Sequence, residues 1–370
     1  MAIIPRVVTE ASASGAQVID GSLVFQGSLS QYLGRTFRLG NRRTWTFSAW
    51  VKKTSFGSSK KGLFGHDSTN DHIRLQNNDD GGDSMRFLAP SVFDYILTRK
   101  DRDTGWFHLV VSCDTTQSSA SDRVNIYYNG ELQTAYYSSS DPSQNAETGF
   151  NQAAAHSIGR GGTGGDLTYA DAVLTNLYWI DGQQLAASDF GYTDPLTNTW
   201  RPKKFSGNYT IDTDGYNVRW LDYLTSNGTL NNANYAFDGN TSTRAQTAAA
   251  AGGKTLTFSP PDINFSSKIE VYCDQGPSGG TPLPTAAWDG NTVTPGSGAW
   301  VTVYSGSGTL GSAKPLVINT NGASQYATLK GVRIDGTILI DAEGINSVYL
   351  PFDGNSLIGE DKSGIRNVND

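Results

Sequence analysis

Glycoside hydrolysis needs two carboxyl groups facing each other across a cleft, so the glutamates are the first residues to test for chemistry. Glu10, Glu131, Glu147, Glu270, Glu343 and Glu360 are scattered along the 370 residues, and no two of them share a strand face. No acid and base pair follows from that spacing. Gly276-Pro277-Ser278-Gly279-Gly280 has the form of a nucleophile elbow, which requires a strand before it and a helix after it. The residues that follow are Thr281-Pro282-Leu283-Pro284, so a loop is expected there instead. Gly252-Gly253-Lys254-Thr255 is the end of a phosphate-loop pattern whose first glycine is replaced by Ala248, with no helical pattern behind it. It reads as the entry to a strand. His66, His72, His108 and His156 have no histidine or cysteine partner at zinc-ligand spacing and read as surface or strand histidines.

Binding chemistry has better candidates. Asp238, Asn240 and Thr243 crowd oxygen atoms onto one short loop, with Glu343 as a distant partner, and calcium is the ion that such a loop would suit. The competing reading is a turn in which those oxygens accept local backbone N–H groups. A second acidic loop, Asp79-Asp80-Gly81-Gly82-Asp83, reads as a solvated turn. A sugar would need an exposed aromatic face surrounded by polar groups, and the aromatics in or beside loops are Trp288, Tyr136, Tyr137, Phe93 and Tyr95. Each of these also fits a core or an interface.

These residues must be positioned by strands. The stretch from Trp106 to Gln133 holds two runs rich in Val, Ile, Tyr and Phe, Trp106 to Cys113 and Arg123 to Tyr128, and Asn129-Gly130 turns the second back through a type I′ hairpin. From Thr44 to Ser48 polar residues alternate with Trp45, Phe47 and Ala49, which predicts a sandwich strand with one buried and one polar face. With 42 glycines and many short apolar runs between turns, an all-β class is expected. The chain is long enough for two or three domains. The formal charge of −7 offers no basic footprint for nucleic acid. No apolar stretch reaches the length of a membrane-spanning helix, and the start of the sequence lacks an export signal pattern. Folding in a cytoplasm is therefore expected. Cys113 and Cys273 lie in strand patterns and read as buried free thiols.

FSAWVKK, GWFHLVVSCD, VNIYYNGELQ, HSIGRGG and ADAVLTNLYWIDGQQLAASDFG, in that order, resemble the strands of a laminin G-like, concanavalin A-like lectin/glucanase domain. The resemblance implies two antiparallel β-sandwiches in series: the concanavalin A-like jelly roll over 21–193, then a second over 223–342. The second rests on Ala233 to Arg244, which resembles the opening loop of galactose-binding, discoidin-like jelly rolls, although Ala245 stands where an aromatic is usual. Residues 1–20 are expected as an attachment arm, 194–222 as a linker with extended strands and 343–370 as an attachment tail. The Glu-x-Asp-x-x-Glu signature of the retaining glucanases of this fold is absent.

YWIDGQQLAASDFGYTDPLTNTWRPKKFSGNY and the segment from Val348 to Asp370 resemble structural proteins of marine tailed phages. That resemblance implies a non-enzymatic virion component, an exposed appendage or capsid decoration that binds host-surface glycans weakly. The alternatives are a structural cement that binds no glycan and, with no carboxylate pair to support it, a glycan depolymerase. Its implied partners are other capsid or tail proteins and further copies of itself, a trimer by analogy. Its implied location is the virion surface.

Overall fold

The structure, a computed structural model, describes residues 19–364 except 58, 77–81, 101–103, 163–166, 212–213, 217, 249–251, 277–282, 297, 323–324 and 343. Residues 1–18 of the expected arm over 1–20, and Glu343, thus lie outside the described residues. The chain is all-β: its strands pair antiparallel and no α-helix occurs among the described residues. It divides into two compact units, one formed by Met1–Thr210 with Glu343–Asp370, the other by Ile211–Ala342.

Two seven-stranded sheets build the first unit. One runs Leu23–Phe25, Ala172–Asp181, Thr44–Lys53, Phe107–Asp114, Val124–Tyr128, Glu131–Leu132, and Val348–Leu350 also pairs with Ala172–Asp181. The other runs Tyr136–Ser140, Phe93–Lys100, Ser84–Ala89, His72–Gln76, Lys61–His66, Ala155–Ile158, Leu33–Thr36. Asn129 and Gly130 take φ of 49° and 85°, the left-handed pair that a type I′ turn requires. Between the sheets Trp45 stacks on Trp179 with centroids 5.0 Å apart, and Phe64 stacks on Trp179 at 4.8 Å. Gly62 and Gly65 on one strand receive Gly161 so closely that a Cβ on either would collide with its backbone.

Three expectations are corrected here. The polar face of Thr44–Lys53 is not solvated: Thr46 and Ser48 are fully buried. A third layer covers it, in which Phe190, Phe205 and Tyr349 pack on Val110, Tyr178 and Ile180. Thr46 is satisfied within that layer, donating its hydroxyl to the Gln183 carbonyl (2.7 Å) and accepting the Leu185 N–H (2.9 Å). The expected linker over 194–222 supplies Trp200 and Phe205 to this layer and is folded structure as far as Thr210. The expected tail over 343–370 is part of the first unit, with Val348, Tyr349 and Leu350 all buried.

The second unit contains a five-stranded sheet, Leu224–Ser226, Thr255–Phe258, Leu316–Asn319, Thr285–Trp288, Asn291–Val293, and a four-stranded sheet, Trp300–Ser305, Lys268–Tyr272, Gly331–Ile334, Thr337–Ile338. Leu256, Phe258, Ile269, Val271, Ala286 and Val332 fill its core. Cys113 and Cys273 are each buried and unpaired, one in each unit.

Candidate functional site

The structure brings together few of the residues that the sequence singles out for sugar binding. Trp288 is 2% exposed; its ring packs on Phe265 and Tyr304, and its indole N–H donates to the Lys314 carbonyl at 3.0 Å. Phe93 and Tyr95 face the first unit's core, Tyr95 donating its hydroxyl to Asp141 at 2.5 Å. A buried ring offers no face to a ligand, so these three are corrected to core residues. Tyr136 is half-buried against Tyr95, with its hydroxyl on the Gln133 carbonyl. Tyr137, 60% exposed, is the member of the set whose ring meets solvent.

The calcium reading fares no better within the described residues. Asp238 accepts the Asn240 N–H at 2.9 Å on one oxygen and the Thr243 hydroxyl at 2.6 Å on the other. Thr243 also bonds the Asn240 carbonyl, and the Asn240 side chain accepts the Ser242 N–H. The loop satisfies itself, and calcium asks for six or more oxygen ligands. One carboxylate, one amide and one hydroxyl do not make that shell, so no chemistry is routed through the ion. In the second acidic loop Asp83 is buried beside Lys53, 3.7 Å away, while 79–81 lie outside the described residues.

All four histidines are buried, not superficial. His108 lies 2.8 Å from Ser48, a pairing that could suggest nucleophilic catalysis. Its other nitrogen accepts the Trp200 indole N–H at 3.0 Å, and indole is only a donor. The neutral ring therefore carries its proton on Nε2 and donates to Ser48, the reverse of what a general base must do. Stacked between Trp50 and Trp200, His108 has its pKa pushed down to about 3 by burial. Among the described residues no group of three His, Cys, Asp or Glu is placed to hold a metal ion.

A more open site lies on the first unit at residues the sequence reading passed over. Tyr32, 44% exposed, precedes the edge strand Leu33–Thr36. The Arg160 guanidinium carbon sits 3.9 Å from the Tyr32 ring centroid, and the Tyr169 ring centroid is 6.2 Å away at 49°. Arg160 pairs with Asp67 and donates to Ser157 Oγ at 2.7 Å, and Ser157 donates to Asp67 at 2.6 Å. The result is a partly exposed aromatic ring with a fixed cation lying over one face and a carboxylate and hydroxyl bound to that cation. In the second unit, Arg333 similarly lies 4.0 Å over half-buried Trp300. The Gly-rich context of Arg160 was the signal available in HSIGRGG, but the spacing alone gives no hint that Tyr32 meets it from a strand 128 residues away in sequence (160 − 32).

Comparison with curated proteins finds no match. Among solved structures, the chain is similar to domain 4 of an extracellular arabinanase from Geobacillus stearothermophilus in complex with arabinotriose (19% identity, 45% of this chain and 73% of that chain, TM-score 0.31). It is also similar to a Trypanosoma rangeli sialidase (15%, 47% and 27%, 0.30) and to tailspike protein 2 of bacteriophage CBA120 (10%, 49% and 29%, 0.32). The chain thus spans under a third of the sialidase and of the tailspike. Residues 25–182 match the family model described as the concanavalin A-like lectin/glucanases superfamily, of the laminin G type. The first unit accordingly carries a concanavalin A-like lectin/glucanase domain.

Proposed function

We propose that this chain is a non-enzymatic structural protein of a phage particle, exposed at its surface, whose lectin-type unit holds host glycans weakly at Tyr32. The observation that carries the glycan reading is the exposed Tyr32 ring, set within the matched domain and flanked by Arg160, Asp67 and Ser157. The ring face opposite Arg160 is the one that packs on the apolar face of a sugar, and the fixed guanidinium with its bound carboxylate and hydroxyl suits the sugar hydroxyls. Weak single sites become useful when many copies act together, as on a symmetric particle built from trimers of this chain. The particle itself is supported by the resemblance of YWIDGQQLAASDFGYTDPLTNTWRPKKFSGNY to tailed-phage structural proteins. A non-enzymatic role is supported by the glutamates: Glu147 is paired with Arg42 and Arg43, Glu270 with Lys268, and Glu360 with Lys362.

Screening the full chain on an oligosaccharide array tests the reading. Binding is expected, with a loss of at least about tenfold in Tyr32→Ala and little change in Tyr137→Ala. A Tyr32→Ala protein that binds as well as the parent overturns it. A cement role without glycan is the second reading, favoured by the exposed apolar side chains Leu196, Leu357 and Ile358, which a neighbouring subunit would cover. Cryo-electron microscopy of the particle separates the two, since a buried Tyr32 with covered Leu357 leaves only the cement.

A further inference from the structure

Between the two sheets of the first unit lies a cavity of about 650 Å³, within the range of sites that hold drug-sized molecules. Phe64 from one sheet, Phe37 just after the strand Leu33–Thr36, and Leu177, Trp179 and Leu350 from the other sheet form its apolar walls. Sheets of a sandwich normally interdigitate to native density, because an unfilled void forfeits dispersion contacts along its whole lining. This cavity opens at a rim formed by Arg35 and Ile358 to Asp361, while Phe64, Leu177 and Trp179 at its depth are buried.

One wall carries a polar atom without a partner. His156 is 2% exposed and lines the cavity, stacked on Phe37 at 4.2 Å. Its Nδ1 is 2.9 Å from the Ala154 carbonyl, an acceptor only, so Nδ1 carries the proton and donates it. The neutral ring then presents a lone pair at Nε2, and that atom is buried with no hydrogen-bond partner among the described residues. Burial keeps the ring neutral by pushing its pKa down to about 3. The His66 ring stands edge-on, 4.7 Å away between centroids, without hydrogen bonding to it. An unsatisfied acceptor of this kind costs about 1–3 kcal/mol unless a donor reaches it.

The rim is charged. Arg35 is paired with Asp361 at 2.7 Å, Glu360 adds a second carboxylate, and the largely exposed Ile358 stands beside them. Glu360 is itself paired with Lys362, so the rim charges are matched and it is the apolar walls that disfavour an anion by desolvating it.

We infer that this cavity is a second binding site, independent of the glycan surface at Tyr32, for a neutral, largely apolar small molecule whose single N–H or O–H group donates to His156 Nε2. The walls supply affinity through burial, the histidine lone pair sets the orientation, and the same apolar walls select against carboxylates, whose charge they would desolvate. The site lies inside the lectin-type sandwich, whereas Tyr32 lies outside it, so either can fail without the other.

Three fluorescent probes of matched shape test the inference on the full chain. N-phenyl-1-naphthylamine has the N–H donor, 1-benzylnaphthalene replaces it with CH₂, and 8-anilinonaphthalene-1-sulfonate adds a negative charge. Saturable one-to-one binding of the amine is expected, about five- to tenfold tighter than the benzyl isostere, with the sulfonate weakest. Leu350→Trp, which fills the cavity, should abolish binding, His156→Phe should level the first two probes, and Tyr32→Ala should change nothing. Because the core variants could fail to fold, the wild-type His156 Nε2 nitrogen resonance supplies a second readout, expected to move on adding the amine and not the isostere. No saturable binding, equal affinity for amine and isostere, tighter sulfonate binding, binding that survives in a folded Leu350→Trp protein, or an unmoved His156 resonance overturns the inference.

Discussion

The side-chain amide of Asn151 donates to Asp181 at 2.8 Å in a part of the first unit where both residues are fully buried. Asn151 in turn accepts the Trp179 indole N–H at 2.9 Å. The same carboxylate accepts the Asn41 N–H at 2.9 Å and the Asn346 N–H at 3.2 Å. Three chain segments far apart in sequence thus converge on one buried anion.

Replacing Asp181 by Ala strands those three donors, each at a cost of about 1–3 kcal/mol. Chemical denaturation should show the first unit destabilised by about 3–5 kcal/mol. A loss under about 1 kcal/mol would mean that the network is incidental to stability.

Strand Val348–Leu350 closes on Leu177 to Trp179, so removing 343–370 should expose the cavity and leave the first unit unfolded or aggregating. Excising the second unit should do far less harm. Gly344 packs so tightly on Tyr209 and Thr210 that a short glycine linker can join the two flanks. Circular dichroism and size exclusion on both proteins check this, and a folded truncation paired with an unfolded excision would refute it.

Acid should weaken the first unit through its buried histidines. His108 and His156 have folded pKa values of about 3 against an unfolded value near 6.5, so the unfolded chain binds more protons between those limits. Their contribution is complete above about pH 6.5 and is lost as pH falls, at about 1.4 kcal/mol per pH unit for each. Plots of unfolding free energy against pH for wild type and His156→Phe should differ in slope by about that amount between roughly pH 6 and 4. Parallel plots would be inconsistent with a neutral buried ring.

The second unit should respond with the opposite sign. Burial raises Asp341 to about 7, against the hydrogen bond it accepts from the Leu221 N–H at 3.0 Å and the nearby Arg219 charge. Here the folded state holds the extra proton between about pH 4 and 7, so stability falls as pH rises through that window. Asp341→Asn should flatten this dependence. Hydrogen exchange of the Trp220–Tyr223 segment at pH 5 and pH 7 reads it directly, and identical protection in wild type at the two pH values would contradict it.

Much of the fold was legible because it is written in local pattern. The Asn129-Gly130 turn and the alternation of Trp45, Phe47 and Ala49 each need only neighbouring residues to be recognised. What was hidden is set by distant sequence. Thr46 and Ser48 look solvent-facing until Phe190 and Phe205 return to cover them. Trp288 and Trp300 have similar loop-side contexts, yet only register decides that Trp288 points inward beside Phe265 while Trp300 lies half-open under Arg333. Tyr32 is covered by Arg160 from far along the chain, and His156 joins the cavity lining beside residues of the opposing sheet, neither of which a local pattern records.

The position of Val348–Leu350 in the first sheet also fixes an order of events during synthesis. The ribosome delivers 1–210, then all of 211–342, and only afterwards the strand that completes the earlier half. The second unit can therefore mature on the nascent chain while the first waits, with the edge of Ala172–Asp181 still unpaired at Leu177 to Trp179. Delivery of Val348–Leu350 is thus the step that seals the first unit, so a chain that stops short of it would carry a sticky open edge.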